Sequence, residues 1–129
     1  MKLKKIPDTE LEIMQVVWSN PTPITTSEIK NVLEDERPWS QGALQSLLTR
    51  LVERGFLKPG MKGKSKTFEP LVSESDYLAV ESSSFLKKLR RSTITELVTA
   101  LYDTKAISDE DLEELDAFLA EIRDNRKGQ

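Results

Sequence analysis

Neither cysteine nor histidine occurs anywhere in the chain. Without cysteine there is no disulfide framework and no thiolate metal ligand, so we expect a protein of a reducing compartment, the cytoplasm. Without histidine the chain lacks at once the commonest general base near neutral pH and the commonest metal-binding side chain. Catalysis would have to rest on carboxylates, lysines or hydroxyls, and no spacing here builds a pocket of paired acids. The expectation is a protein that is not an enzyme and uses no metal or cofactor. Long apolar runs are missing too. No stretch approaches the ~20 apolar residues that span a bilayer. The lysines of MKLKKIPDTE at 1–10 precede no apolar segment of the secretory kind. No membrane partner is expected. Aromatics are few, at 6%, and Trp18 and Trp39 are most simply core residues closing a helical trio.

What is present is the composition of a helix-rich globular chain, with 37% apolar and 32% charged residues, too apolar to remain disordered. Its 129 residues suit one domain, or a small domain with an extension. The net charge of −3 conceals an asymmetry. Residues 1–70 hold 11 Lys and Arg against 9 Asp and Glu, whereas residues 71–129 hold 8 against 13. The basic excess gathers between 50 and 66, where Arg50, Arg54, Lys58, Lys62, Lys64 and Lys66 face only Glu53. A basic patch on an otherwise acidic protein points to a polyanionic partner.

Apolar spacing and capping residues predict the elements. A first helix at about 9–18, capped by Asp8 or Thr9 and with Thr9 and Glu12 at capping-box spacing, carries Leu11, Met14, Val17 and Trp18 on one face. NPTP at 20–23 breaks the chain. Thr25 and Glu28 repeat the capping-box spacing before a short helix whose apolar face is Ile29, Val32 and Leu33. A third helix begins after Ser40 as N-cap and stops at Gly55. Two strands follow, at about 56–61 and 65–69, joined by a turn at Lys62-Gly63, and Pro59 confines the first to a sheet edge. Three helices and a basic hairpin are the order of a winged helix-turn-helix. Beyond Pro70, helices are expected at about 74–91, around Ile94, Leu97, Val98 and Leu101, and after Ser108. The acidic group at 109–114 suits the positive end of that last helix better than it suits a metal. The fold class expected is mainly α with a small β-hairpin: a winged-helix DNA-binding domain at 1–72 and a helical dimerisation region at 73–129.

The third helix carries the functional signal. Leu44, Leu47, Leu48 and Leu51 share one side, while the other offers Gly42, Ser46, Thr49 and Glu53 with Gln45 and Arg50 on the flanks. Short polar groups permit close approach, and glutamine and arginine can make paired hydrogen bonds to base edges or phosphates. Lys62, Lys64 and Lys66 of the hairpin would hold the flanking strands, positioning the helix that specifies sequence. Leu112, Leu115, Leu119 and Ile122, with Phe118 beside them, make a short coiled-coil seam. A chain that reads DNA gains affinity and specificity as a symmetric dimer. The alternative is a winged-helix module that uses the same face to bind protein.

Four stretches, DTELEIMQVVW (8–18), WSQGALQSLLTRLVERGFL (39–57), GKSKTFEP (63–70) and SESDYLAVESSSFL (73–86), resemble the penicillinase and methicillin-resistance repressors and their copper-responsive relatives. The similarity runs from about residue 6 to 120. It implies a homodimeric winged-helix repressor of a palindromic double-stranded DNA operator. It places Ser40, Gln45, Ser46, Thr49 and Arg50 on the DNA-reading helix. Gln41 beside them and Arg54 at the helix end complete the expected contact set, and the three lysines form the wing. Leu97, Val98, Leu101, Leu112, Leu115, Phe118, Leu119 and Ile122 fall in the dimer interface. Gly42 and Ala43 stand where that family usually has a longer residue and a threonine, Ser46 stands for a second threonine, and Lys66 replaces a common aromatic. The antibiotic-resistance branch also implies a regulatory protease, but the Asn-Phe bond it cleaves aligns here with Ala100-Leu101. The copper branch senses its metal through cysteines that this chain lacks.

Overall fold

The computed structural model describes residues 3–89 and 91–128. Its elements run α1 (Asp8–Ser19), β1 (Ile24–Thr25), α2 (Thr26–Leu33), α3 (Gln41–Glu53), β2 (Leu57–Lys62), β3 (Ser65–Pro70), α4 (Glu74–Lys88), α5 (Ile94–Asp103) and α6 (Asp109–Lys127). The chain divides into two compact units, Met1–Leu86 and Lys87–Gln129.

In the first unit, α1 to α3 pack with a three-stranded antiparallel sheet of order β1-β3-β2, the architecture of a winged helix-turn-helix. Pro59 sits in β2, an edge strand as expected, where its missing N–H costs no ladder bond. The third strand, β1, was not expected. Two residues are too few to show an alternating pattern, and Ile24 and Thr25 become a strand only because Phe68 and Thr67 lie opposite them.

The caps follow local chemistry. The Thr25 hydroxyl accepts from Glu28 N while the Glu28 carboxylate accepts from Thr25 N, closing the expected capping box on α2. On α1 no side chain caps. Pro7 takes the N-cap position, and Asp8 and Glu10 sit in the first turn against the helix dipole. At the end of α3, Phe56 N donates to Leu51 O and Gly55 N to Val52 O, a Schellman motif that requires the φ of +82° that Gly55 supplies. The hairpin turn is Gly63-Lys64, one residue later than expected. Lys62 pairs with Ser65, and Gly63 alone takes positive φ, as the first central position of a type II′ turn demands.

Ile13, Met14, Val17, Ile29, Leu44, Leu48, Leu51, Phe56, Leu57 and Phe68 fill the core of this unit. Tyr77 closes it. The ring lies 5.6 Å from Phe56 and 5.9 Å from Trp18, and its hydroxyl accepts from Ile6 N and donates to Glu81. Burial first, and then the Glu81 carboxylate, push its ionisation up to about 12, against the pull of the Ile6 N–H. Trp18 donates its indole N–H to Val72 O. The first turn of α4 is thereby part of the winged-helix core.

The second unit holds α5 and α6. Thr93 caps α5, and Ser108 with Asp111 forms a capping box on α6. Neither helix has a single buried residue.

Candidate nucleic-acid interface

The stretch Gln41–Glu53 is helical because Ser40 anchors its start, its Oγ accepting from Ala43 N, and because three leucines per two turns seat it on the core. Leu44, Leu48 and Leu51 are buried, and Leu47 and Val52 are half-buried at the edges. That fixes the opposite side as solvent-facing. Gln41, Gln45, Ser46, Thr49 and Arg50 are all exposed. Gly42, Gln45, Ser46, Thr49, Arg50 and Glu53 together line one shallow depression, so the side chains singled out in the sequence share a face. Its floor is smooth at Gly42. The Thr49 hydroxyl donates back to Gln45 O at 2.9 Å, which leaves it free to accept rather than donate.

The hairpin lies beside this helix. Lys62 closes β2, Lys64 occupies the turn, and Lys66 follows in β3 opposite Met61, on the same face as Phe68 and the core. Lys62 is near enough to Glu28 to help its capping bonds hold that carboxyl below the usual range. Among the described residues, Arg50, Lys62, Lys64 and Lys66 take part in no salt bridge. Four unpaired cations around a helix face of short polar groups form a surface suited to a polyanion.

Arg54 is placed differently. Its Nε lies 3.0 Å from Oε1 of Glu10, a carboxylate wholly removed from solvent whose oxygens have no other partner among the described residues. The expected contact set includes Arg54, but its guanidinium turns toward the protein's own buried charge. Glu10 itself was missed. Its only sequence signal is its position one turn before Ile13 and Met14 on the inward face of α1. Trp39 is buried, as expected of a core aromatic. Arg37 stacks over its ring at 4.5 Å while bonding Glu12 at 2.7 Å.

In the second unit the expected interface residues occupy both helices. Leu101, Leu115, Phe118, Leu119 and Ile122 are exposed, and Leu97, Val98 and Leu112 are half-buried. Among the described residues no group of acids is arranged to hold a metal ion, and no helix is long and apolar enough to cross a membrane.

Residues 6–121 match the family model described as penicillinase repressor. The chain is 32% identical to the penicillinase repressor of Bacillus licheniformis, over 98% of each chain. It is 26% identical to the methicillin resistance regulatory protein MecI of Staphylococcus aureus, over 88% of this chain and 92% of that one. Among solved structures it resembles the monomeric form of Bacillus licheniformis BlaI in complex with the blaP half-operator. The identity there is 36% and the TM-score 0.50, covering 59% of this chain and 92% of that one.

Proposed function

We propose, from the premise that this chain belongs to the penicillinase repressor family, that it is a sequence-specific DNA-binding transcriptional repressor, acting as a cytoplasmic homodimer on a palindromic operator. The observation that carries this reading is the exposed face of α3, short and polar, flanked by four cations that form no salt bridge among the described residues. A major groove ~12 Å wide admits such a helix. In this reading Gln41, Gln45, Ser46, Thr49 and Arg50 meet base edges and phosphates, with Ser40 at the helix start, while Lys62, Lys64 and Lys66 grip the strands alongside. Arg54 stands apart from that group, since Glu10 already holds it. Residues 1–72 supply the DNA-binding region and 73–129 the dimerisation region, where Leu97, Val98, Leu101, Leu112, Leu115, Phe118, Leu119 and Ile122 meet a second copy. The reading helices of the dimer then lie ~34 Å apart or a multiple of it.

A regulatory protease enters this reading only if it accepts Ala100-Leu101. That bond sits within α5, where Ala100 O accepts from Thr104 N, so cleavage requires the helix to open locally.

Selection of bound fragments from random duplex DNA tests the proposal. The expected product is a symmetric site whose affinity falls steeply with salt as counterions are released. Binding that is indifferent to sequence would favour the rival reading of α3 as a protein-docking face.

A further inference from the structure

A cleft of about 540 Å³ opens within the first unit, between the flank of α3 and the hairpin. Leu48 and Val52 wall it on the helix side, and Met61 and Phe68 on the strand side. Opposite Phe68, β2 carries Pro59, and both line the cleft. The polar groups that line the cleft are Thr26, Gln45, Thr49 and Lys66. Lys66 is the one charged residue among them, and no carboxylate contributes.

That combination selects its occupant. The volume is that of pockets that hold small organic molecules. A bare inorganic anion would leave water for apolar walls at a cost that one lysine does not offset, and a cation would meet Lys66. A molecule with an apolar body and one negative charge satisfies both features. We propose that the cleft between α3 and the wing binds a small organic anion, an aromatic or branched carboxylate or sulfonate, and that its occupancy excludes DNA. Gln45, Thr49 and Lys66 belong both to this cleft and to the proposed DNA-contacting set, so ligand and duplex compete for the same groups. The exclusion rests on the repressor reading, whereas the site itself does not.

The test uses the full chain, labelled with nitrogen-15 and titrated without DNA with 8-anilinonaphthalene-1-sulfonate. Saturable shifts are expected at the amides of Gln45, Val52, Met61 and Lys66. Lys66→Gln should weaken this probe about tenfold while leaving the uncharged N-phenyl-1-naphthylamine unaffected. Met61→Asp, at a side chain 63% exposed and so tolerated by the fold, should weaken the sulfonate at least as much. Shifts confined to α5 and α6, or sulfonate affinity in both variants unchanged from the parent, overturn the site. In a second arm, saturating sulfonate should raise the apparent Kd for a selected duplex at least tenfold. An unchanged Kd overturns the exclusion. A protein that selects no duplex at all indicts the repressor reading instead, because the first arm is read without DNA.

Discussion

The two ends of the chain place their apolar residues differently. Among the described residues, every buried hydrophobic one lies between Ile6 and Tyr77, in the winged-helix unit. In α5 and α6 the leucines recur at helical spacing just as regularly, yet none is buried. Periodicity therefore reports a face that must be covered, not what covers it. In the first unit the rest of the fold covers the apolar faces of α1 to α3, whereas Leu78, Phe85 and Leu86 of α4 stay exposed. In the second, Leu101, Leu115, Phe118, Leu119 and Ile122 remain open to solvent, the surface that the proposed dimer would cover. Substitutions should accordingly act on folding in the first unit and on assembly in the second.

The largest effect is expected at Arg54. Its loss in Arg54→Ala leaves the Glu10 carboxylate buried and unpaired, which costs about 3–5 kcal/mol for such pairs. The half-exposed arginine puts the expected loss at the lower end, roughly 3 kcal/mol. Urea unfolding followed by tryptophan fluorescence measures it, and Glu10→Leu combined with Arg54→Ala should recover most of the loss. A single variant as stable as the parent would show that Glu10 finds another partner. Leu115→Asp should do the converse. The unfolding free energy of the first unit in urea should stay within about 0.5 kcal/mol of the parent, as for substitutions remote from a core. In sedimentation the dimer should be lost, and DNA affinity should fall roughly 100-fold as the second half-site disengages. A dimer that survives this change would make the seam an internal contact.

A pH titration sharpens the contrast within the first unit. The Tyr77 phenol, raised to about 12, loses its proton later in the folded chain than in the unfolded one. Its contribution is therefore fully present below pH 10 and is lost as pH rises toward 12, roughly 2 kcal/mol over that range. Tyr77→Phe should flatten this alkaline decline, which denaturant titrations between pH 9 and 12 would reveal. The smallest effect is that of Arg50→Ala, about tenfold in DNA affinity, for the ~1–3 kcal/mol of one lost contact. Its exposed side chain makes no contribution to the core, so the unfolding curve should not move. Equal retention of the parent and this variant in a gel-shift titration would remove Arg50 from the interface.

The third helix was the most legible element. Its N-cap, its glycine stop and the spacing of its leucines all act within a turn or two, and all three hold in the structure. The first helix was read less well. The spacing Leu11, Met14, Val17 and Trp18 marks one flank, but the deepest residues are Glu10, Ile13, Met14 and Val17, and Leu11 and Trp18 lie half-buried at the edge. An inward glutamate breaks the rule that charge faces water, and nothing near it in sequence announces its partner 44 positions on. The DNA-binding region is expected at 1–72, and the compact unit that contains it continues to Leu86. Tyr77 accounts for the difference, since its ring and hydroxyl join the start of α4 to Ile6, Trp18 and Phe56.

Sequence alone determined where α2, α3 and α6 begin, where α3 stops, which face of α3 is apolar, and that its exposed face is small, polar and bordered by lysines. Those properties are set by neighbours three or four residues apart, whose contacts the helix itself guarantees. Tertiary structure decided that Arg54 pairs with the buried Glu10, that Ile24 and Thr25 become a strand, and that Lys66 lines a cleft beside α3. Each of these depends on segments that meet only when the core closes, and no local pattern records which groups will then stand face to face.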